Sequence, residues 1–232
     1  MKIHILVAGW DKERAIWGCT RLGADKVYLI VPEFTKEKTE PWINEKTRGV
    51  ADGIKNRFSK YFPVEFVPVV YDDYMDCFKK TIKIIKKESG NEILVNIASG
   101  SHIATSAAIF AASITGCKAY YVQPERYDDV FRQDRFISYG GRNIVDIPLL
   151  PIAAVSEVEV GILRFIGKRG QMSVTELSKE AQGIFDVPTR SKFNYYVDKL
   201  GDMGFLDNEI SGGKLYTKIN GTGRLILEAF AG

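Results

Sequence analysis

Apolar and polar residues alternate with two different periods along the first 123 residues of the chain. Short apolar runs, which are typical of buried strands, occur at residues 3–8, 26–31, 64–69, 93–98 and 118–123. Helices are predicted between them at residues 11–22, 42–58, 74–85 and 101–115; the second is a long polar segment, and in the third apolar residues recur at helical spacing with lysines opposite. This alternation predicts an α/β fold with a Rossmann-like, doubly wound parallel sheet that carries helices on both faces.

Two details refine the predicted sheet. Pro68 lies within the third run, and proline is tolerated better in an edge strand than in a central one. If the strand order is the common 3-2-1-4-5, strands one and four are neighbours where the winding reverses.

Residues 136–149 contain two further apolar runs around Gly140 and Gly141, which predict a terminal hairpin.

The last third of the chain is helical at first and then extended. A first amphipathic helix is predicted around residues 158–166, and Ser173 and Glu176, at the spacing of a capping box, begin a second. A third helix is predicted at residues 189–200, before two strands within residues 205–219 and a final helical turn or two. Three helices followed by a two-stranded ribbon is the element order of a winged helix-turn-helix.

These patterns divide the chain into two domains. We predict a Rossmann-like domain over residues 1–150 and a winged helix-turn-helix domain over residues 151–232. The connection at residues 148–156 is apolar and contains Pro148 and Pro151, which favours a packed hinge over a free tether.

Composition and charge exclude several classes of protein. The 232 residues are 45% hydrophobic and 26% charged, as in ordinary globular proteins, and a net charge of +3 does not by itself imply a polyanionic partner. No apolar stretch is long enough to span a bilayer, and the N-terminal run is too short for a signal peptide. Cys19, Cys77 and Cys117 are isolated from one another, which argues against structural zinc. We therefore expect a cytoplasmic protein with no membrane partner, no metal and no cofactor.

Two loops of the predicted sheet have the residues of a ligand-binding site. In doubly wound sheets, ligands bind beyond the carboxyl ends of the strands, where the winding reverses, and the loops after strands one and four both reach that crevice. Glycine permits close approach of the backbone, hydroxyl and amide groups supply hydrogen bonds, and an indole supplies a stacking face. The next helix adds free amides at the positive end of its dipole. The predicted ligand-binding residues are Gly9, Trp10, Asp11, Asn96, Ala98, Ser99, Gly100, Ser101 and His102.

These residues suit a nucleotide or a phosphodiester, but simpler interpretations stay open. Ser101 also suits the N-cap of the following helix, which such a turn needs in any case. That helix carries a stripe of small residues suited to packing on the sheet or against a second subunit, namely Ala104, Ala107, Ala108, Ala111 and Ala112.

The spacing of the candidate residues excludes several catalytic motifs. The chain has no G-x-G-x-x-G after strand one and no P-loop, and neither Ser99 nor Ser101 has the glycines two residues before and after it that a nucleophile elbow needs. His102 is one of two histidines, and the other, His4, is predicted to lie within strand one. We assign His102 a hydrogen-bonding role and assign no catalytic residue.

The segment N-I-A-S-G-S-H followed by an alanine-rich helix resembles the strand-four motif of CARF domains, the CRISPR-associated Rossmann-like sensors. Asn96, Gly100 and Ser101 fit that motif, whereas Ser99 stands where glycine is common and His102 where lysine or arginine is common. With its C-terminal domain, the whole chain resembles the CARF winged-helix transcriptional regulators, many of them archaeal. The resemblance implies a homodimer with a shared pocket on the two-fold axis, where relatives bind cyclic oligoadenylate.

The second domain is expected to contact DNA through its third helix and its wing. In a winged helix the third helix enters the major groove and the wing touches phosphate. The predicted DNA-binding residues are Arg190, Ser191, Lys192, Asn194, Tyr195 and Lys214. From Pro151 onward, however, ten Lys and Arg residues are balanced by ten Asp and Glu residues, so binding must depend on local clustering of charge. A winged helix that docks protein instead of DNA therefore stays open.

Together these observations predict a ligand-responsive, DNA-binding transcriptional regulator associated with CRISPR defence. A dimeric Rossmann-like domain would sense a cyclic oligoadenylate-type nucleotide at its interface and bias the spacing of two winged helices on double-stranded DNA. Two alternatives are a metal-independent ring nuclease that cleaves the nucleotide with Ser101 and His102, and an assembly module without a DNA target.

Overall fold

The fold was obtained as a computed structural model, which describes residues 1–33, 41–127, 138–149, 155–181, 184 and 189–230. The chain divides into two compact units, Met1–Ile152 and Ala153–Gly232. Of the predicted hinge at residues 148–156, the part from 150 to 154 lies outside the described residues.

The first unit alternates strands and helices. Its elements are β1 (Lys2–Val7), α1 (Lys12–Leu22), β2 (Lys26–Pro32), α2 (Pro41–Phe58), β3 (Val64–Val69), α3 (Tyr74–Lys87), β4 (Glu92–Asn96), α4 (His102–Thr115), β5 (Lys118–Gln123), β6 (Arg126–Tyr127), β7 (Ser138–Tyr139) and β8 (Asn143–Ile147). Six strands form one sheet in the order β3-β2-β1-β4-β5-β8, in which only β8 is antiparallel to its neighbour. The predicted α/β fold and the strand order 3-2-1-4-5 are confirmed, and Pro68 lies in the edge strand β3.

Helices cover both faces of this sheet. On one face, Leu6 of β1 and Leu29 of β2 share an apolar core with Ala15 of α1 and Ile54 of α2. On the other face α3 packs beside α4, and the rings of Phe78 and Phe110 lie 5.8 Å apart. Because both faces are covered, the central strands are nearly continuous apolar runs with few polar positions.

The predicted hairpin within residues 136–149 is wrong. β8 pairs with β5 and β7 pairs with β6, so the two runs extend one ribbon along the sheet edge and do not pair with each other. Residues 136 and 137 of the predicted hairpin lie outside the described residues. The ribbon bulges at Gly140, which has a φ of +61° and donates its amide to the Glu13 carboxylate at 2.8 Å. Gly140 and Gly141 thus form a bulge and a contact with α1, whereas the sequence pattern predicted a tight turn between two strands.

The second unit combines four helices of the described residues with a small sheet. Its elements are α5 (Glu157–Arg169), β9 (Met172–Ser173), α6 (Val174–Glu180), α7 (Arg190–Asp202), β10 (Leu206–Ser211), β11 (Lys214–Ile219) and α8 (Gly221–Phe230). The strand order is β10-β11-β9. Ser173 caps α6 as predicted, accepting from the Glu176 amide at 3.3 Å. The sequence analysis missed β9, which is too short to show a period, and underestimated α8, which has 10 residues.

Candidate functional site

The loops that follow β1 and β4 touch one another at the carboxyl end of the sheet. The two strands are neighbours, with Leu6 opposite Asn96 in the register. A Cβ placed on Gly9 would overlap the Ser99 Oγ and the backbone nitrogen of Gly100. Only a glycine allows this approach, and the structure thus brings the two predicted loops together at the end of the sheet where doubly wound folds have their binding crevice.

Gly100 is required by its own backbone conformation. Its φ is +105°, a region that residues with a Cβ rarely adopt, and a Cβ there would also overlap the Val7 side chain. The β4 loop therefore passes directly over the end of β1, and position 100 presents backbone to the crevice in place of a side chain.

Ser101 is the N-cap of α4. Its Oγ accepts a hydrogen bond from the Ala104 amide at 3.1 Å and lies 3.5 Å from the Tyr71 carbonyl oxygen, to which it donates. The Ser101 side chain therefore caps the helix in this structure, which is the simpler of the two interpretations. His102 is the first residue of the helix and is exposed. The first-turn amides of a helix have no acceptor within it and carry the positive end of its dipole, so this end of α4 favours an anion.

Tyr71 joins the crevice from the loop after β3, and the sequence analysis missed it. Its hydroxyl is shared between the carbonyl oxygens of Ala8 and Ile30, at 3.0 Å from the latter. Burial raises the pKa of Tyr71, so the hydroxyl stays a protonated donor. A single tyrosine after a strand has no periodic signal, and only the observed register shows that it connects β1, β2 and the cap of α4.

Asn96 supports the β4 loop from inside the protein. The residue is 3% exposed, its Oδ1 accepts from the Ala98 amide at 2.8 Å, and its Nδ2 donates to the Tyr120 hydroxyl at 3.2 Å. It was predicted to hydrogen-bond a ligand, whereas in this structure its amide is used within the protein. Ala98 was also predicted to contact a ligand, but it is 5% exposed, and its backbone amide is the donor to Asn96. Both residues shape the loop.

A buried hydrogen-bond chain continues from Asn96 toward the amino end of the sheet. The Tyr120 hydroxyl lies 2.8 Å from His4 Nδ1, and His4 Nε2 lies 2.9 Å from the Gly23 carbonyl oxygen. Since the carbonyl only accepts, Nε2 donates to it and Nδ1 accepts from Tyr120. Burial lowers the pKa of His4 to about 4, so the imidazole is neutral at pH 7. Gly18 of α1 leaves the space that the Tyr120 ring fills.

Asp11 is a helix cap whose charge is already balanced. It accepts from the Arg14 amide at 3.2 Å and from Arg14 Nε at 2.7 Å. The two side chains are only 11% and 13% exposed, and Arg14 also donates to the Tyr121 hydroxyl. Asp11 was predicted to contact a ligand, but its carboxylate is engaged within α1. The negative charge next to the crevice is therefore compensated.

Trp10 is held by the first turns of α2. Its Nε1 donates to Thr47 Oγ1 at 3.2 Å, its ring lies 5.5 Å from that of Trp42, and the Lys46 ammonium lies 4.3 Å from its ring centroid. The predicted stacking face of Trp10 thus already has protein neighbours. Trp42 and Lys46 were not predicted, because the sequence indicated only that this long polar segment is helical.

Other predicted features are used inside the first unit. The alanine stripe of α4 lies in the core, where each of the five residues is 0% exposed: Ala104, Ala107, Ala108, Ala111 and Ala112.

Burial raises the pKa of Cys19 and of Cys77 to about 12, so neither thiol is a nucleophile near pH 7. Within the described ranges, no group of three or more His, Cys, Asp or Glu side chains is placed to hold a metal.

A family model matches most of the first unit. The family described as "HFX_2341_N:-like, N-terminal" matches residues 2–127, which is more than half of the chain. The chain belongs to this family. In this HFX_2341_N-like chain, the matched range runs from β1 to β6 and includes both loops of the crevice, Tyr71, and the first turns of α2.

One related protein aligns with this chain along most of the length of both. An uncharacterised protein of Archaeoglobus fulgidus is 22% identical over 214 residues, which cover 88% of this chain and 86% of that protein.

Two solved structures align with the chain at low similarity. Can2 from Sulfobacillus thermosulfidooxidans, in complex with cyclic tetra-adenylate, is 10% identical with a TM-score of 0.45, and the match covers 100% of this chain and 64% of that one. Csm6 from Enterococcus italicus, bound to cyclic hexa-2'-fluoro-hexa-dAMP, is 12% identical with a TM-score of 0.45, over 87% of this chain and 55% of that one. The chain thus spans less than two thirds of the length of either.

In the second unit, the predicted DNA-binding residues lie on α7 and at the turn between β10 and β11. Ser191, Lys192 and Lys214 are exposed, and Tyr195 is 60% exposed. Arg190 is also exposed, with its guanidinium donating to another helix at Thr175 Oγ1, 2.9 Å away. Asn194 is different, because its Oδ1 is buried and has no hydrogen-bond partner among the described residues.

Acidic residues lie close to this surface. Asp198 and Asp202 are exposed on the second half of α7, and Asp207 and Glu209 are exposed on β10. Lys199 of α7 is paired with the buried Glu159 at 2.6 Å. The basic character predicted for α7 is therefore confined to its first turn.

Within the part of the chain that the structure describes, no helix is long and apolar enough to cross a bilayer.

Proposed function

We propose that this chain is a nucleotide-responsive regulator, in which the crevice between the β1 and β4 loops binds a cyclic oligoadenylate-type nucleotide in a homodimer. The observation that carries the proposal is the contact of Gly9 with Ser99 and Gly100, which requires glycine at position 9. Glycine at position 100 is required by its φ of +105° and by the adjacent Val7 side chain. The contact sets two stretches of backbone and the amino end of α4 around one crevice. Such a surface suits phosphate, which accepts hydrogen bonds from backbone amides.

The electrostatics of the crevice support an anionic ligand. The acidic side chain of these loops, Asp11, is compensated by Arg14, so it repels an anion little. His102 adds an exposed imidazole at the mouth, and Ser99 adds a partly buried hydroxyl. The loops carry no lysine or arginine, so the amides supply the donors that a basic side chain supplies elsewhere.

The state of Ser101 favours binding over cleavage. Its Oγ is held between the Ala104 amide and the Tyr71 carbonyl, and using it to attack or orient a ribose would break the cap of α4. We therefore favour a sensor over a ring nuclease.

Calorimetry of the full chain with cyclic tetra- and hexa-adenylate tests this proposal, with chromatography of the nucleotide afterwards. We expect one intact ring bound per two chains. No binding of either ring would refute the sensor, and linear products would establish the nuclease instead.

We further propose that the second unit is a winged helix-turn-helix domain that binds double-stranded DNA with α7 and the β10–β11 turn. The order α5, α6, α7 and then a ribbon supports this, as does the exposed basic first turn of α7. Binding is expected to be dimeric and salt-sensitive, at half-sites about 34 Å apart. The double variant Arg190→Ala, Lys192→Ala should weaken binding to promoter fragments more than Lys214→Ala does.

The exposed acids on α7 and β10 favour a second candidate, a protein-docking module. Retained DNA affinity in the Arg190→Ala, Lys192→Ala variant at low salt would show that α7 is not the recognition helix. Absence of any DNA binding by the wild-type protein would favour the docking module.

A further inference from the structure

The first turns of α2 form a small aromatic and basic surface beside the crevice. Trp42 and Lys46 are four residues apart and therefore lie on one side of the helix. Both contact Trp10, the residue after Gly9: the indole rings are 5.5 Å apart, and the Lys46 ammonium lies over the Trp10 ring at 4.3 Å. We call this surface, Trp42 and Lys46 on the Trp10 ring, the α2 platform.

The two tryptophans of the α2 platform differ in what they leave uncovered. Trp10 is half-buried, and its Nε1 is used by Thr47. Trp42 is 51% exposed, although the large aromatic surface of an indole is normally well buried in a folded protein. Trp10 is thus the fixed part of the platform, and Trp42 presents an open ring face at the edge of the crevice.

An exposed indole beside an ammonium has the two groups that one nucleotide needs. Nucleobases stack on aromatic rings whatever their sequence, and a lysine meets the phosphate as a point charge. The crevice loops supply amides and hydroxyls but no basic side chain and no uncovered aromatic face. The platform supplies what the crevice lacks.

We propose that the α2 platform is a second part of the ligand site, where one nucleotide unit stacks its base on Trp42 and sets its phosphate against Lys46. This inference rests on the proposed function and deepens it, because it assigns the base and the charge of the ligand to residues outside both loops. Trp10 acts as a positioning residue that connects the platform to Gly9.

Fluorescence titration can test the α2 platform directly. In a Trp17→Phe background, the remaining tryptophans are Trp10 and Trp42, so quenching by a stacked base reports on the platform. We expect cyclic tetra-adenylate to quench this emission and Trp42→Ala to weaken binding about tenfold or more. Lys46→Ala should weaken binding and reduce its salt dependence, whereas Lys46→Arg should retain both. Tyr61→Ala, which removes a 75% exposed aromatic beyond the other end of α2, is the control and should change nothing.

Adenosine 5'-monophosphate, used at higher concentration, separates this inference from the proposed function. Equal affinity of Trp42→Ala and the parent protein for cyclic tetra-adenylate would overturn the platform and leave the sensor intact. Quenching by the monophosphate that depends on Trp42, without any binding of the ring, would support the platform and refute the proposed ligand. No change in emission with either nucleotide would overturn the platform.

Discussion

The two ends of the parallel sheet use their residues in opposite ways. At the amino end, charged side chains pair with one another: Lys26 lies 2.7 Å from Glu65 and 3.0 Å from Glu88, and Glu92 lies 2.8 Å from Lys118. At the carboxyl end, the loops after β1 and β4 meet through glycines and small polar residues. Side chains at both ends bond within the protein, but the carboxyl end adds the first-turn amides of α4, which have no acceptor within the helix.

Concavity alone points to the end opposite the proposed site. Cavities of about 310 and 440 Å³ lie at the amino end, and both are lined by Glu92, Cys117 and Lys118. Lys2, Glu92 and Lys118 in their walls are already paired, so a ligand would have to displace these contacts to use them. The difference teaches that a binding site needs polar groups whose hydrogen-bonding capacity is still available, and not only space.

The largest expected effect comes from substituting two comparable glycines, one at each end of the sheet. Gly100 and Gly90 both have positive φ, +105° and +88°, but a Cβ on Gly100 overlaps Val7 whereas one on Gly90, at the amino end, meets nothing within 4 Å. We expect Gly100→Val to abolish binding of cyclic oligoadenylate in calorimetry. Gly90→Val should lower the unfolding free energy by about 1–2 kcal/mol and leave the affinity unchanged. Equal loss of affinity in both variants would mean that backbone strain, and not the crevice, controls binding.

An intermediate effect concerns the buried chain between the two ends. The pKa of His4 is lowered from 6.5 to about 4 by burial, so the unfolded chain binds more protons than the folded one between these values. The free energy of unfolding should fall by about 1.4 kcal/mol per pH unit as the pH drops below 6.5, or about 2 kcal/mol by pH 5. Urea titrations followed by tryptophan emission measure this, since all three tryptophans lie in the first unit.

His4→Gln is the control for this titration. It removes the titrating group, so its stability should vary less between pH 6.5 and 5. An unchanged slope in this variant would assign the pH dependence to other residues.

The smallest effect is expected from the amino end. Glu92 is half-exposed and contacts both Lys118 and Lys2, so solvent screens these pairs. Glu92→Gln should leave the urea midpoint and the nucleotide affinity at their wild-type values. A clear loss of affinity in this variant would move the site to the cavities of the amino end.

Much of the fold followed from periodicity, since apolar runs and helical spacing reflect burial directly. The strand order is the one common in doubly wound sheets, and the edge position of Pro68 follows from the missing amide hydrogen of proline. The ribbon of β5 to β8 was not predictable, because the same apolar runs around Gly140 suit a hairpin or a bulged edge. Only long-range pairing distinguishes the two.

The candidate site was predictable in its location and less so in its roles. Topology places the two loops together, but residue type does not reveal whether a polar group is already satisfied. Asn96 and Asp11 have the chemistry of ligand contacts and use it within the protein. Tyr71 and Lys46 come from segments remote in sequence, so no local pattern marked them.

Amide hydrogen exchange with and without cyclic tetra-adenylate tests the central claim most directly, because it locates the ligand on the chain. We expect slower exchange at residues 9–11 and 99–104, in the two crevice loops and the first turn of α4, with no change around Glu92 and Lys118 at the amino end. Protection confined to the amino end, with the crevice loops exchanging as before, would contradict the account.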